Sequence, residues 1–192
     1  MSDEIFSFQG RNYHYFDHPH NQTRINERTV EIPIGLDFID LVGASDLVEV
    51  GCVTPYYQKC DHEVIDLTDD HPLSRKIDAT EFSFIGKNVL SISTVEHVGF
   101  GDYGNQKKEN NAAIFLCERI MRESKRYFVT WPLGFNKILD EWAFQRKDGL
   151  FLSRQDGNKY LWQQKTLSEL SDDNKVYGSF HCANSIIILT NT

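Results

Sequence analysis

Acidic side chains and a glycine close several short apolar segments, and their chemistry suits a ligand that contains a nucleoside. Glu49 and Gly51 end the first segment, where a glycine lets backbone approach a ligand and a carboxylate can hold an ammonium group or order the loop. Asp66 ends the second segment, where an acid can accept both hydroxyls of a ribose. Asp78, followed by Ala79, can accept a hydrogen bond from an exocyclic amine such as that of adenine.

A fourth apolar segment leads directly into Ser93–Gly99, which reads S-T-V-E-H-V-G. Taken singly, an acid at the end of a strand is as often a helix cap as a ligand contact. The ordered series Glu49, Asp66, Asp78 and Glu96–His97 is harder to explain in that way. We therefore interpret these positions together, as one candidate site.

The apolar segments lack strict alternation, which is typical of parallel strands covered on both faces. They predict strands at residues 47–52, 63–67, 76–78, 88–93 and 126–131. Helical spacing predicts a crossover helix over residues 110–123, and a further helix is expected to start near Pro33 and stop at Gly43. Residues 53–62 are too few for a full crossover helix, so about one turn or a loop is expected there.

The C-terminal part predicts antiparallel strands around Gly157 and a buried last strand over residues 185–189. The predicted fold is a compact Rossmann-like α/β domain, with a mostly parallel sheet, helices on both faces and an antiparallel C-terminal edge. One domain spans residues 1–192, with residues 1–25 as a loosely packed arm or lid and residues 47–132 as the cofactor-binding core. Ligands of such sheets bind beyond the carboxyl ends of the strands.

Composition excludes several classes of function. The formal net charge of −8 argues against a nucleic-acid partner. No apolar run approaches the roughly 20 residues that span a membrane. The four cysteines form no C-x-x-C pair, which predicts reduced thiols and a cytoplasmic protein. Cys60 and His62 supply only two ligands, so the sequence predicts no zinc site.

The order E-x-G, strand-end Asp, D-A-x-x-F and S-x-x-E-H-V resembles the class I S-adenosylmethionine (SAM)-dependent methyltransferases. The chain is most similar to a branch encoded near polysaccharide and glycosyltransferase genes. The segments that carry this closer resemblance are N-E-R-T-V-E-I at 26–32, S-I-S-T-V-E-H-V-G at 91–99, W-P-L-G-F-N at 131–136 and C-A-N at 182–184.

The resemblance implies a SAM site built from the strand ends. It places Glu49 and Gly51 beside the methionine end, Asp66 at the ribose, Asp78 and Ala79 at the adenine, and Ser93 and Thr94 in the wall below the sulfonium. The chain departs from the family in its loop at residues 51–57, G-C-V-T-P-Y-Y, which has one glycine where the family has two or three.

The implied reaction is O-methylation of a sugar or glycan-related hydroxyl. The imidazole of His97 is then the expected base, with Glu96 beside it. His97 is equally well explained as a helix-start histidine bonded to a carbonyl. A third possibility is that Glu96, His97 and Asp102 hold a divalent metal.

Glu27, Arg28 and Glu31 form a charged cluster near the first predicted helix. The resemblance implies that they bind the acceptor, and solvated ion pairs are the alternative. A small-molecule or glycan acceptor is the expected partner, and a homodimer stays open.

Two other functions remain possible. A non-catalytic relative could keep the fold as a binding module, which the altered loop favours and the retained acids Asp66 and Asp78 oppose. A nucleotide-sugar enzyme would also use Asp66 but would need phosphate donors near Gly51. No Lys or Arg lies between Gly51 and Tyr57.

Overall fold

The structure, a computed structural model, describes residues 4–101, 111–146, 148–155, 158–178 and 183–192. Three α-helices lie in these ranges: α1 (Arg28–Val42), α2 (Ala112–Glu123) and α3 (Lys137–Phe144). The strands are β1 (Ile5–Phe8), β2 (Arg11–His14), β3 (Leu47–Val50), β4 (Glu63–Ile65), β5 (Ser74–Arg75), β6 (Asn88–Ile92), β7 (Arg126–Pro132), β8 (Leu150–Gln155), β9 (Asn158–Lys165) and β10 (Ser185–Thr190).

Eight of the strands form one sheet in the order β5-β4-β3-β6-β7-β10-β8-β9. The first five are parallel, while β10 lies antiparallel between β7 and β8, and β9 is antiparallel to β8. The predicted mostly parallel α/β sheet with an antiparallel C-terminal edge is therefore confirmed. The strand order reverses between β3 and β6, so the switch point that binds ligands in such sheets lies there.

Helices cover both faces of the sheet, as predicted. Alternate strand residues point to opposite faces. Val89 packs in the core beneath α2 and α3, whereas Leu90 packs in the core beneath α1 and the β1–β2 hairpin. None of the described helices is long and apolar enough to cross a membrane.

Helix α1 begins at Arg28, five residues earlier than the predicted start near Pro33. Proline inside a helix leaves the carbonyl four residues earlier without its N–H partner. That carbonyl belongs to Thr29, and it accepts a hydrogen bond from Phe16 N–H at 2.9 Å instead. The predicted stop is confirmed: Gly43, with φ of +72°, caps the helix through its N–H to Ile39 O.

The connection from β3 to β4 is short, as predicted, and contains a single 3₁₀ turn at Thr54–Tyr56. The third parallel strand, expected at residues 76–78, lies at Ser74–Arg75. Strand β4 ends at Ile65, which pairs with Arg75, so no neighbouring strand extends alongside residues 76–78.

The N-terminal segment is not the loosely packed arm that its sequence predicted. Phe6 and Phe8 are each only 3% exposed and belong to the core beneath α1. The Tyr15 hydroxyl accepts a hydrogen bond from the backbone N–H of Trp162 in β9 at 2.8 Å. The period-2 burial of Phe6 and Phe8 is thus that of a strand with one buried face.

Candidate functional site

A cavity of about 630 Å³ opens at the carboxyl ends of the parallel strands, beside the switch between β3 and β6. Its volume lies within the range of small-molecule sites. The predicted site residues that line it are Arg28, Gly51, Asp66, Asp78, Ala79, Ser93, Thr94 and His97. Glu27, Glu31, Glu49 and Glu96 are buried and do not line it.

Gly51 lies at the switch point, directly after β3. Its φ of +89° is unfavourable for residues with a Cβ, and its N–H donates to Ile65 O at 2.9 Å. A Cβ at this position would overlap the Thr94 side chain. Glycine is therefore required for the loops after β3 and β6 to approach each other here.

Asp66 joins the loops that follow β3 and β4. Its Oδ2 accepts a hydrogen bond from Cys52 N–H at 3.1 Å, and its Oδ1 accepts from the N–H groups of Thr68 at 2.7 Å and Asp69 at 2.8 Å. One lone pair of Oδ2 is left for a ligand. Asp66 thus orders the rim of the cavity as well as lining it.

Asp78 stabilises its own loop through one carboxylate oxygen. Oδ1 accepts hydrogen bonds from Thr80 N–H at 2.8 Å and from the Thr80 hydroxyl at 2.7 Å. Its Oδ2 has no hydrogen-bond partner within the described parts of the chain. That oxygen is available to a donor on a ligand.

The cavity wall is predominantly anionic. Asp66, Asp69, Asp78 and Glu81 contribute carboxylates, and Arg28 is the one Lys or Arg side chain in the described lining. Sequence reasoning missed Asp69 and Glu81. Asp69 was detectable because it follows the strand-end Asp66 by three residues, within the same loop.

Cys52 also lines the cavity. Burial, with the neighbouring carboxylates of Asp69 and Glu49, raises the pKa of its thiol. The thiol is therefore neutral and unsuited to nucleophilic catalysis.

Behind the wall, Glu31 is completely buried. Its Oε1 accepts hydrogen bonds from the hydroxyls of Ser93 at 2.7 Å and Thr130 at 2.6 Å. Its Oε2 has no hydrogen bond from any described residue and lies 3.9 Å from Arg28 Nε. Burial raises the pKa of Glu31 to about 7.

The solvated ion pairs considered for Glu27, Arg28 and Glu31 are therefore wrong, because the carboxylates are withdrawn from water. Glu27 Oε2 accepts a hydrogen bond from Ala183 N–H at 3.1 Å. Arg28 alone of the three lines the cavity, and its Nη1 donates to Ile92 O at 3.1 Å.

Glu96 and His97 separate into a buried and a cavity-lining residue. Burial raises the pKa of Glu96 well above its usual range, and its Oε1 lies 3.6 Å from His97 Nε2. The His97 ring packs edge-on against Phe135, with centroids 4.7 Å apart. Asp102 lies outside the described residues, so the predicted metal site of Glu96, His97 and Asp102 stays untested.

Glu49 orders the loop after β3 and does not face the cavity. Its Oε1 accepts hydrogen bonds from the N–H groups of Val53 at 3.0 Å and Thr54 at 2.7 Å. Its Oε2 contacts the Thr54 hydroxyl and lies 2.8 Å from His62 Nε2. The sequence left two roles open for Glu49, holding an ammonium group or ordering the loop. These contacts support loop ordering.

Comparisons of the chain with protein-family models, with curated proteins and with solved structures each gave no match. The functional argument therefore rests on the geometry and charge of the site.

Proposed function

We propose that this protein is a SAM-dependent methyltransferase that methylates a hydroxyl of a sugar or glycan-related acceptor. The observation that carries the proposal is an anionic cavity at the switch point of a parallel sheet, closed on one side by Gly51. SAM carries a sulfonium and an ammonium group, so carboxylates in the wall complement its positive charges. The sugar class of the acceptor follows from the resemblance alone.

The same charge argues against a nucleotide-sugar enzyme. A diphosphate needs cationic side chains or a cluster of backbone N–H donors. Arg28 is the only Lys or Arg in the described lining. The loop N–H groups of Thr68 and Val53 already donate to carboxylate oxygens, Asp66 Oδ1 and Glu49 Oε1.

The proposed contacts with SAM use carboxylate oxygens that can still accept a hydrogen bond from a ligand. Asp66 Oδ2 is the acceptor for a ribose hydroxyl, and Asp78 Oδ2, beside Ala79, is the acceptor for the adenine amine. Ser93 and Thr94 form the wall next to the reacting centre. Arg28 is the proposed contact for the acceptor, and Glu31 Oε2 lies 3.9 Å behind its Nε.

His97 is the proposed base. Bound SAM supplies an electrophilic methyl group, and the acceptor hydroxyl must lose its proton as its oxygen bonds to that methyl. His97 is the imidazole in the described cavity wall, and Phe135 restricts its ring. Glu96 is buried behind it and positions the imidazole.

A non-catalytic binding module is the second candidate. The well-ordered loop at residues 51–57, with Tyr56 and Tyr57 in place of further glycines, is the observation that favours it. Both candidates bind a ligand in the same cavity, but only the first transfers a methyl group. The proposal also includes a cytoplasmic location, which the free thiols of Cys52, Cys60 and Cys117 support. A homodimer stays part of the proposal, although neither candidate function requires it.

A thermal-shift panel separates these ligand classes. Unfolding midpoints are measured with equal concentrations of SAM, S-adenosylhomocysteine, NAD⁺ and UDP-glucose. We expect SAM and S-adenosylhomocysteine to raise the midpoint, because a ligand at 100 times its Kd stabilises by about 2.7 kcal/mol. A larger shift with UDP-glucose or NAD⁺ would contradict the proposal.

A further inference from the structure

Four donor atoms of different chemistry meet beneath the loop after β3. They are Glu49 Oε2, Thr54 Oγ1, Cys60 Sγ and His62 Nε2, and none of these residues lines the cavity. The Glu49, Cys60 and His62 donors all lie within 4.8 Å of one another. Thr54 Oγ1 lies 3.2 Å from Cys60 Sγ and 3.5 Å from His62 Nε2.

These separations are close to those of a tetrahedral zinc site. Zinc bonds of about 2.0–2.3 Å put the ligand atoms roughly 3.3–3.8 Å apart. Small movements of side chains are therefore enough to place an ion among the four atoms. Thiolate sulfur, imidazole nitrogen and carboxylate oxygen are each donors that zinc binds in proteins.

The ligand set neutralises the charge of a zinc ion. Glu49 is completely buried, and the His62 side chain is only 2% exposed. One Zn²⁺ bound by the Glu49 carboxylate, the Cys60 thiolate and a neutral imidazole forms a cluster without net charge, so no unpaired charge is buried.

The surrounding backbone already supports such a site. Glu49 Oε1 accepts two backbone N–H groups, from Val53 and Thr54, which fixes the carboxylate while Oε2 points at His62. Hydrogen bonds of this kind orient the ligands of metal sites.

We propose that Glu49, Cys60 and His62, with Thr54 as the fourth donor, bind a structural zinc ion that fixes the loop at residues 51–57. Gly51, Cys52 and Val53 of this loop line the cavity, so the ion holds one wall of the ligand site without touching the ligand. The proposal does not depend on the methyltransferase function, because no donor is shared with the cavity wall.

Cobalt substitution tests the site. The full-length protein is treated with a chelator, exchanged into buffer without it, and titrated with Co²⁺ alone. We expect a near-ultraviolet thiolate-to-cobalt band and visible bands of a tetrahedral ion, all removed by one equivalent of Zn²⁺. The Cys60→Ala variant is expected to lose the thiolate band, while the control variant Cys117→Ala, on the buried face of α2, is expected to keep it.

The wild-type titration decides the question even where a variant fails to fold. Absence of both the thiolate band and any rise in unfolding midpoint with Zn²⁺ would overturn the proposal. So would a thiolate band that persists in Cys60→Ala. The His62→Gln variant gives a second check, with loss of the tetrahedral spectrum expected. Binding of S-adenosylhomocysteine is measured on the same samples and reports separately on the cavity.

Discussion

Glu31 combines complete burial with one carboxylate oxygen that accepts no hydrogen bond within the described part of the chain. Burial raises its pKa to about 7, above the ordinary value of 4.5. The folded state therefore holds a proton that the unfolded state releases between these values, so this contribution to stability is present below pH 4.5 and is lost as pH rises to 7. Between pH 4.5 and 7 we expect the free energy of unfolding of Glu31→Gln to fall by about 3 kcal/mol less than that of the wild type, measured by urea unfolding.

Glu118 supplies the matched control, because it is an exposed glutamate on α2. Glu118→Gln is expected to keep the wild-type slope between pH 4.5 and 7. An identical slope in wild type and Glu31→Gln would show that Glu31 is ionised in the folded protein, against the effect of its burial.

Asp66 has two separable tasks, since it orders loops and offers one lone pair to a ligand. Asp66→Ala leaves the N–H groups of Cys52, Thr68 and Asp69 without this acceptor. We expect a loss of about 1–3 kcal/mol in the free energy of unfolding together with loss of S-adenosylhomocysteine binding. The exposed Asp70, which pairs with Lys76 at 2.8 Å, is the control, and Asp70→Ala should change neither quantity appreciably. Unchanged ligand affinity in Asp66→Ala would refute its assignment to the ribose.

At the scale of the elements, the contact between the loops after β3 and β6 depends on Gly51. Gly51→Ala introduces both backbone strain and overlap with Thr94. We expect a destabilisation of about 1–3 kcal/mol and loss of ligand binding. Gly86→Ala has the same sign of φ, +76°, with no atom of the described residues within 4 Å of the added Cβ, so it controls for backbone strain alone. Equal behaviour of the two variants in ligand binding would mean that the close approach is unimportant.

The hairpin of β1 and β2 gives the second prediction at this scale. Phe6 is 3% exposed, and Ile5, the preceding residue of the same strand, is 49% exposed. Phe6→Ala is expected to cost about 3–5 kcal/mol in denaturant unfolding, whereas Ile5→Ala should cost under about 1 kcal/mol. Similar small effects of both changes would mean that the hairpin is a detachable arm after all.

The elements that the sequence predicted best are those buried on both faces. Strands β3, β6 and β7 were placed within two residues of their bounds because continuous apolar runs leave little alternative. The start of α1 was misplaced because the Phe16–Thr29 hydrogen bond, which compensates for Pro33, joins residues that no local pattern connects. The β1–β2 hairpin was missed for a similar reason, since its buried face is completed by β9, far along the chain.

The candidate site was predicted in part. Residues directly at strand ends, such as Gly51, Asp66 and Asp78, line the cavity as topology requires. Glu49 and Glu96 were expected at the ligand but are buried. Glu49 Oε1 accepts loop N–H groups, and Glu96 Oε1 lies 3.6 Å from His97 Nε2. Cys60 and His62 could not be joined to Glu49 and Thr54 from spacing alone, since the loop brings them together.

At the scale of the whole molecule, sheet topology and charge act on the same place. The order of the parallel strands puts the switch between β3 and β6, and the carboxylates of Asp66, Asp69 and Asp78 gather there. The chain as a whole is also negatively charged, with a formal net charge of −8. A ligand with positive charge and hydroxyl groups is therefore favoured over a polyphosphate.

Calorimetric titration of the wild-type protein with S-adenosylhomocysteine and with SAM, with and without magnesium, tests this account most directly. We predict micromolar binding of one ligand per chain, independent of magnesium. A flat trace for both ligands, from protein that unfolds cooperatively, would contradict the assignment of the cavity as a SAM site.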